Sequence, residues 1–347
     1  MSPAEGGGFY RRSEDEQIRG LLQLGREALR RWNLQDAQLS PAAYRENMTF
    51  RVDAGGRGRF ALRIHQADYR SDDEIRSELA FMRALRERGV RTPEAVPARD
   101  GSPFVRAEDP AVPEARQCDL FEWIEGRLLR ATGENARLSA EELTASYQEV
   151  GRQAAAIANA AEAWRRPAGF TRPVWDAEGI FGETAHLGSW RKLSSLSDAQ
   201  RSLLERLAER LGADLAAFGT EPDRFGLCHG DFLPENLMVC ADGLRLIDFD
   251  DCGDSWYLFD FATGLYDLLG EPHFDSCLTA MVAGYRERRA LPETHLARLP
   301  AFFLARGLSY LGWSATRSHL RKAREIAPLL LSALEDFAPA YLGDETR

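Results

Sequence analysis

Nowhere in the 347 residues is there an apolar run approaching the roughly 18 residues that a membrane-spanning helix requires. An apolar secretory core is missing too, since Gly6-Gly7-Gly8 gives way to Glu14-Asp15-Glu16. A cytoplasmic location is the expectation. Cysteine is scarce and poorly spaced for a metal or a disulfide framework. The five, at 118, 228, 240, 252 and 277, form no C-x-x-C pair, and an odd number suits reduced, mostly buried thiols. There is no excess of basic charge: a formal net charge of −10 argues against a general nucleic-acid binder and is compatible with cationic substrates. Long polar tracts and internal repeats are also lacking, so the chain reads as a folded globular protein, one large domain or two lobes.

What is present is concentrated in one stretch, His229 to Asp251, with the sequence HGDFLPENLMVCADGLRLIDFDD. Asp231 precedes Asn236 in the Asp-x-x-x-x-Asn arrangement of a kinase catalytic loop, and Asp248 follows. Leu237 to Cys240 and Leu244 to Ile247 are predicted as short strands joined by a three-residue loop, Ala241-Asp242-Gly243. In that register Cys240 faces Leu244, and Asn236 faces Asp248. Two oxygen ligands then meet at one end of a hairpin, where Mg²⁺ can be held by a few protein oxygens together with phosphates.

Upstream, residues 14 to 32 carry the stripe of an amphipathic helix. Strands are predicted at 38–40, 48–53 and 60–65, with a Gly-rich turn at 55–58. On the third strand, Ala61, Arg63 and His65 share one face, while Leu62 and Ile64 share the other. Residues 71 to 88 form the next predicted helix, with Ser71 as its cap and Glu78 on its buried stripe. A carboxylate there needs a partner, and Arg63 is the nearest candidate in chain order. Beyond Gly126 helices dominate, at 138–164, 197–218, 256–269, 274–289, 296–318 and 326–341. Trp175, Trp190, Tyr310 and Trp313 read as core in preference to a cation-binding pocket.

A strand-rich lobe, a linker and a helical lobe carrying HGDxxxxN and IDFD together resemble the aminoglycoside phosphotransferase and choline kinase superfamily. In look the chain is nearest to its bacterial homoserine-kinase-like and stress-response-kinase-like members. Glu46 to Val52 is similar to the first hairpin of that group, Leu120 to Gly126 to its hinge, and Asp254 to Ala262 to the segment after the metal aspartate. The resemblance implies an α+β, protein-kinase-like two-lobed fold with a small antiparallel-sheet lobe at 1–119, a hinge at 120–126 and a mainly helical lobe at 127–347. It also implies a kinase using ATP and Mg²⁺. Asp231 matches the catalytic aspartate that takes the acceptor proton, and Asn236 and Asp248 match the Mg²⁺ ligands. Arg63 and Glu78 match the phosphate-binding cation and its partner. Glu122 and Ile124 match the hinge groups that hold adenine, with Val52, Ala61, Met238 and Ile247 as its apolar walls. Asp250 and Asp251 are candidate substrate contacts. His229 and Asp260 are read as scaffolding.

Two departures stand out. The usual phosphate-binding lysine is Arg63, whose planar head binds differently. There is no G-x-G-x-x-G, and the turn at 55–58 reads as an exposed hairpin tip. A small-molecule hydroxyl is the favoured acceptor: an amino alcohol, an amino sugar or a homoserine-like compound. A Ser/Thr protein kinase of the stress-response type fits less well, because helix resumes soon after Asp248 and no Ala-Pro-Glu follows. A nucleotide-binding pseudokinase is the third reading, prompted by Arg63 and opposed by the presence of Asp231, Asn236 and Asp248.

Overall fold

The structure is a computed structural model that describes residues 8–129, 138–318 and 320–344; Gly6 and Gly7, read above, lie outside them. The chain divides into two compact units. One comprises the described residues up to Gly126 together with Arg166–Thr171, and the other comprises those of Arg127–Arg165 and Arg172–Arg347.

In the first unit, α1 (Glu14–Leu29) leads into β1 (Gln38–Tyr44), β2 (Met48–Asp53) and β3 (Arg59–Ile64), followed by α2 (Asp72–Glu87), β4 (Val105–Ala107) and β5 (Arg116–Glu122). The five strands form one antiparallel sheet in the order β1-β2-β3-β5-β4. The two-residue period of β3 decides its faces. Leu62 and Ile64 join Met48, Phe50 and Val52 of β2 and Leu21, Leu24 and Ala28 of α1 in a dry core. Arg63 points to the other face and meets α2. At the start of α2 the Ser71 hydroxyl accepts from Glu74 N–H, while the Glu74 carboxylate accepts from Ser71 N–H. That reciprocal cap fixes where the helix begins and so where Glu78 falls.

The second unit carries β6 (Arg127–Leu128), α3 (Ala140–Ala163), β7 (Val174–Trp175), α4 (Ala177–Phe181), α5 (Asp198–Phe218) and β8 (Phe225–Cys228). After these come β9 (Leu237–Cys240), β10 (Gly243–Leu246), β11 (Gly253–Trp256), α6 (Tyr257–Leu265) and α7 (Phe274–Arg286), then α8 (Glu293–Leu296), α9 (Leu299–Thr316) and α10 (Arg321–Leu342). Helices α3 and α7 approach closely enough that a Cβ on Gly151 would sit 1.9 Å from the Met281 carbonyl oxygen, and one on Gly284 would sit 1.9 Å from that of Gln148. Glycine on both sides permits this contact. Trp175 and Trp190 are fully buried, and Tyr310 and Trp313 are half-buried.

Several elements differ from the sequence expectation. A sheet in the order β7-β11-β8 was not anticipated, because strands of two to four residues are too short to show an alternating pattern. The predicted helix 296–318 is α9, which starts at Leu299 after the separate short α8, and Pro300 lies in its first turn, where its missing N–H costs nothing. Helix α10 runs through Pro328 and Pro339, as the predicted span 326–341 did, but starts earlier, at Arg321. Its buried stripe of Ala323, Leu330, Leu334 and Ala338 keeps helical spacing across both prolines, and packing prevails over the lost backbone bonds.

Candidate active site

The loop after β8 is fixed before any of its side chains can act. The Asp260 carboxylate, on α6, accepts from the backbone N–H groups of His229 at 2.9 Å and Gly230 at 3.0 Å. Gly230 has φ of +82°, and a Cβ there would sit 2.1 Å from the Asp251 carbonyl oxygen. Only glycine fits this turn. His229 Nε2 donates to the Ile247 carbonyl at 3.0 Å, and its Nδ1 accepts from Asp231 N–H at 3.4 Å. Burial pushes the imidazole down to about 4, partly countered by the Ile247 carbonyl, so the ring is neutral at pH 7. Burial drives Asp260 the other way, up to about 7, with the two N–H groups pulling it back. Both side chains act as scaffolding, as the sequence suggested.

The carboxylate of Asp231 emerges from this frame about one-quarter exposed. Its Oδ2 accepts from Asn236 Nδ2 at 2.9 Å, and the same amide donates to the Asp231 carbonyl at 2.8 Å. That commits the nitrogen of Asn236 and leaves its oxygen as the atom suited to a hard cation. Oδ1 of Asp231 accepts from Arg306 Nη2 at 2.8 Å. Arg306 is a residue that the sequence reading missed. It comes from α9, is 1% exposed, and has the Tyr310 and Phe259 rings 4.1 and 5.5 Å from its guanidinium carbon. One signal was available: Arg306 is the only charged residue in the whole of α9.

The hairpin corrects the expected register by one residue. Cys240 pairs with Gly243 and Met238 with Arg245, and Ile247 N–H donates to the Asn236 carbonyl at 2.9 Å. Asn236 therefore does not face Asp248. Gly243 takes positive φ but belongs to the strand, so the loop is Ala241-Asp242. Asp248 follows the ladder with φ of +61°, one of three non-glycine residues with positive φ among those described. Such a conformation costs about 1 kcal/mol or more and persists where surrounding contacts enforce it. Those contacts come from the other side of the loop: Arg172 donates to the carbonyls of Asp250 and Cys252, and Trp175 Nε1 donates to that of Asp251 at 2.8 Å. Met238 and Ile247 share the half-exposed face of the hairpin, while Leu237, Leu244 and Leu246 are buried on the other. Asp250 is buried and Asp251 half-buried. Among the described residues no three His, Cys, Asp or Glu side chains converge as a metal cage. A cation completed by nucleotide phosphates does not require one.

In the first unit, Arg63 donates through Nη1 to Glu78 at 2.9 Å. Its bidentate grip goes elsewhere: Nε and Nη2 reach the two oxygens of Asp119, on β5, at 3.0 and 2.6 Å. His65 Nε2 lies 3.1 Å from the same carboxylate. Burial raises the Asp119 carboxyl, but Arg63 and His65 outweigh it and hold the group well below the usual range. Asp119 was also missed, although a lone aspartate in the buried strand RQCDLFE is a legible oddity, and the register sets it opposite Arg63. Val52 requires a correction. The strand register sets Arg51 opposite Ala61, and Val52 belongs to the core beneath α1, so Val52 and Ala61 cannot form one wall. In the segment expected as a hinge, the N–H groups of Glu122 and Trp123 are spent on the carbonyls of Glu94 and Arg59. Ile124 N–H has no such backbone partner among the described residues.

An antiparallel sheet followed by a mainly helical unit, with Asp231, Asn236 and Asp248 around one hairpin, defines a kinase of the protein-kinase-like fold. The profile of the phosphotransferase enzyme family matches residues 39–298, and the chain belongs to that family. Among solved structures it is similar to a microcompartment-associated aminopropanol kinase, with a TM-score of 0.82 and 32% identity over 93% of this chain and 98% of the other. It is 23% identical to the amicoumacin kinase of Bacillus subtilis, over 73% of each chain. An amicoumacin kinase solved in complex with AMP-PNP, Ca²⁺ and its substrate shares the fold, at a TM-score of 0.72 and 19% identity over 94% of each chain. Among the described residues no helix is long and apolar enough to cross a membrane.

Proposed function

We propose that this kinase transfers the γ-phosphate of ATP, with Mg²⁺, to the hydroxyl of a small amino alcohol. The observation that carries the reading is the Asp231 carboxylate, partly exposed and fixed at both oxygens on a rigid loop. A carboxylate so held is suited to orient an acceptor hydroxyl and take its proton as the phosphoryl group moves. The oxygen of Asn236 and the carboxylate of Asp248 would hold Mg²⁺, which when bound supplies charge neutralisation on the phosphates. In the second unit, Met238 and Ile247 offer apolar surface to the adenine. In the first unit, Ala61 does the same, and Ile124 N–H and the Glu122 carbonyl are its hydrogen-bonding groups. Arg63 is the phosphate-side cation, positioned by Glu78 and Asp119. With two carboxylates around one guanidinium, its pull on phosphate is weaker than that of a lysine with a single glutamate partner.

The amino alcohol is supported by the similarity to the aminopropanol kinase across nearly the whole chain. The net charge of −10 and the acidic Asp250 and Asp251 beside the metal loop suit a cationic acceptor. Only residues 249–252 separate Asp248 from β11, and α6 follows directly. So short a segment favours a small acceptor over a protein serine. The test is ADP release with ATP, Mg²⁺ and 1-amino-2-propanol, run beside ethanolamine, choline, homoserine and an amino sugar. Amino alcohols should be turned over with the highest kcat/KM, and Asp231→Ala should lower kcat by about 10²–10⁴-fold. Equal turnover by Asp231→Ala would remove the catalytic assignment, and preference for homoserine or an amino sugar would remove the proposed acceptor.

A further inference from the structure

We infer that Arg306 is the positioning residue that sets the orientation of the Asp231 carboxylate, a role resting on the proposed function of Asp231. Asn236 and Arg306 both tether the carboxylate. Asn236 lies five residues away in the same loop and holds one edge of the carboxylate from within it. Arg306, 75 residues distant on α9, is the tether to the helical core. Its neighbours leave it little freedom: Phe259 and Tyr310 both lie against the guanidinium, and its own helix is buried around it.

The chemistry of burial argues that this arginine does not serve the fold. Its side chain is 1% exposed, yet Nε and Nη1 have no hydrogen-bond partner among the described residues; Asp231 is the carboxylate it pairs with, and its charge also reaches Asp260. A buried guanidinium with unmet donors is unfavourable, and an apolar side chain of the same length generally does as well or better for stability. What the apolar side chain cannot do is hold Oδ1. With Oδ2 engaged by Asn236 and Oδ1 by Arg306, both oxygens have a set direction relative to an acceptor hydroxyl. An aspartate free to rotate about χ2 would hold that direction only part of the time. Orientation of this kind enters the rate and leaves nucleotide binding alone.

The test is a double-mutant cycle with 1-amino-2-propanol and Mg·ATP, using Arg306→Met, Asp231→Asn and the double variant. Arg306→Met should lower kcat by about 10- to 100-fold with KM for ATP unchanged and with no fall in melting temperature. Added to Asp231→Asn, it should cost nothing further, because its effect runs through that carboxylate. Arg306→Lys, which keeps a donor and a charge, should recover part of the rate. Additive losses in the double variant, or a loss of kcat that tracks a loss of thermal stability in both Arg306 variants, would overturn the inference. If Asp231→Asn keeps full activity, the catalytic reading itself fails, and the cycle separates that result from a failure at Arg306. A readout independent of any acceptor is a crystal structure of Arg306→Met. The Asp231 carboxylate should be rotated or split between orientations, and an unmoved carboxylate would refute the role.

Discussion

Replacing Gly230 by alanine tests the architecture of the loop without touching any group assigned to the chemistry. The residue has φ of +82°, where an L side chain costs about 1–2 kcal/mol. The new Cβ would also lie 2.1 Å from the Asp251 carbonyl oxygen and 2.8 Å from its carbon. Backbone cannot swing aside as a side chain can, and relieving such overpacking costs about 1–3 kcal/mol. The sum of about 2–5 kcal/mol is a large part of the roughly 5–15 kcal/mol that holds a typical protein folded. At about 2–4 °C per kcal/mol, the melting transition should fall by roughly 4–20 °C. Gly212 is the control. It lies inside α5 with nothing within 4 Å of an added Cβ, so alanine there should stabilise by about 0.5–1 kcal/mol. Differential scanning calorimetry of the two variants gives opposite signs if the steric argument holds. A Gly230→Ala protein that melts with the wild type would refute it, and so would two variants that shift in the same direction.

Two further predictions rest on buried charge. Asp119→Ala strips Arg63 of its bidentate partner inside the sheet and should destabilise the first unit by about 3–5 kcal/mol; urea titration measures this, and a change under 1 kcal/mol, at the level of a surface pair, would refute the buried-pair account. For His229, the folded value of about 4 lies below the unfolded 6.5. The stability from keeping it neutral is therefore present above pH 6.5 and drains away as pH falls towards 4. Between pH 7 and pH 5 the loss is about 2 kcal/mol. Asp260, pushed up to about 7, works in the opposite direction over the same window, because the folded state takes up its proton first. The wild-type curve alone conceals both effects. His229→Gln keeps a donor for the Ile247 carbonyl but does not titrate, so its stability should rise by about 2 kcal/mol relative to wild type on going from pH 7 to pH 5. Parallel curves for the two proteins would show that His229 is not held neutral.

Much of this arrangement was legible because local rules and the global fold agree. Alternation on β3 separated Arg63 from Leu62 and Ile64, and the serine cap at Ser71 marked a helix start to within a residue. The Asp-x-x-x-x-Asn spacing picked out the loop that Asp260 and His229 hold in place. Misreadings arose where one residue of register decides the outcome. Counting Gly243 as loop instead of strand set Asn236 opposite Asp248, and Val52, carried over from the resemblance, lies on the face of β2 opposite to that of Ala61. Asp119 and Arg306 were missed for a different reason. Arg306 is the one charge in α9 and Asp119 a buried aspartate in β5, and the partner of each lies 75 or 56 residues away, beyond any spacing rule.

The cysteine placement offers a practical use. None of the five forms a disulfide, and four are buried; Cys240, at the end of β9, is half-buried. Burial raises the thiols of Cys118, Cys228 and Cys277, which keeps them in the unreactive protonated form. A thiol-directed fluorophore would thus favour the tip of the same hairpin whose other end carries Asn236 and Asp248. The unmodified sequence already contains a handle for watching that hairpin in solution, with no engineered cysteine and none to remove.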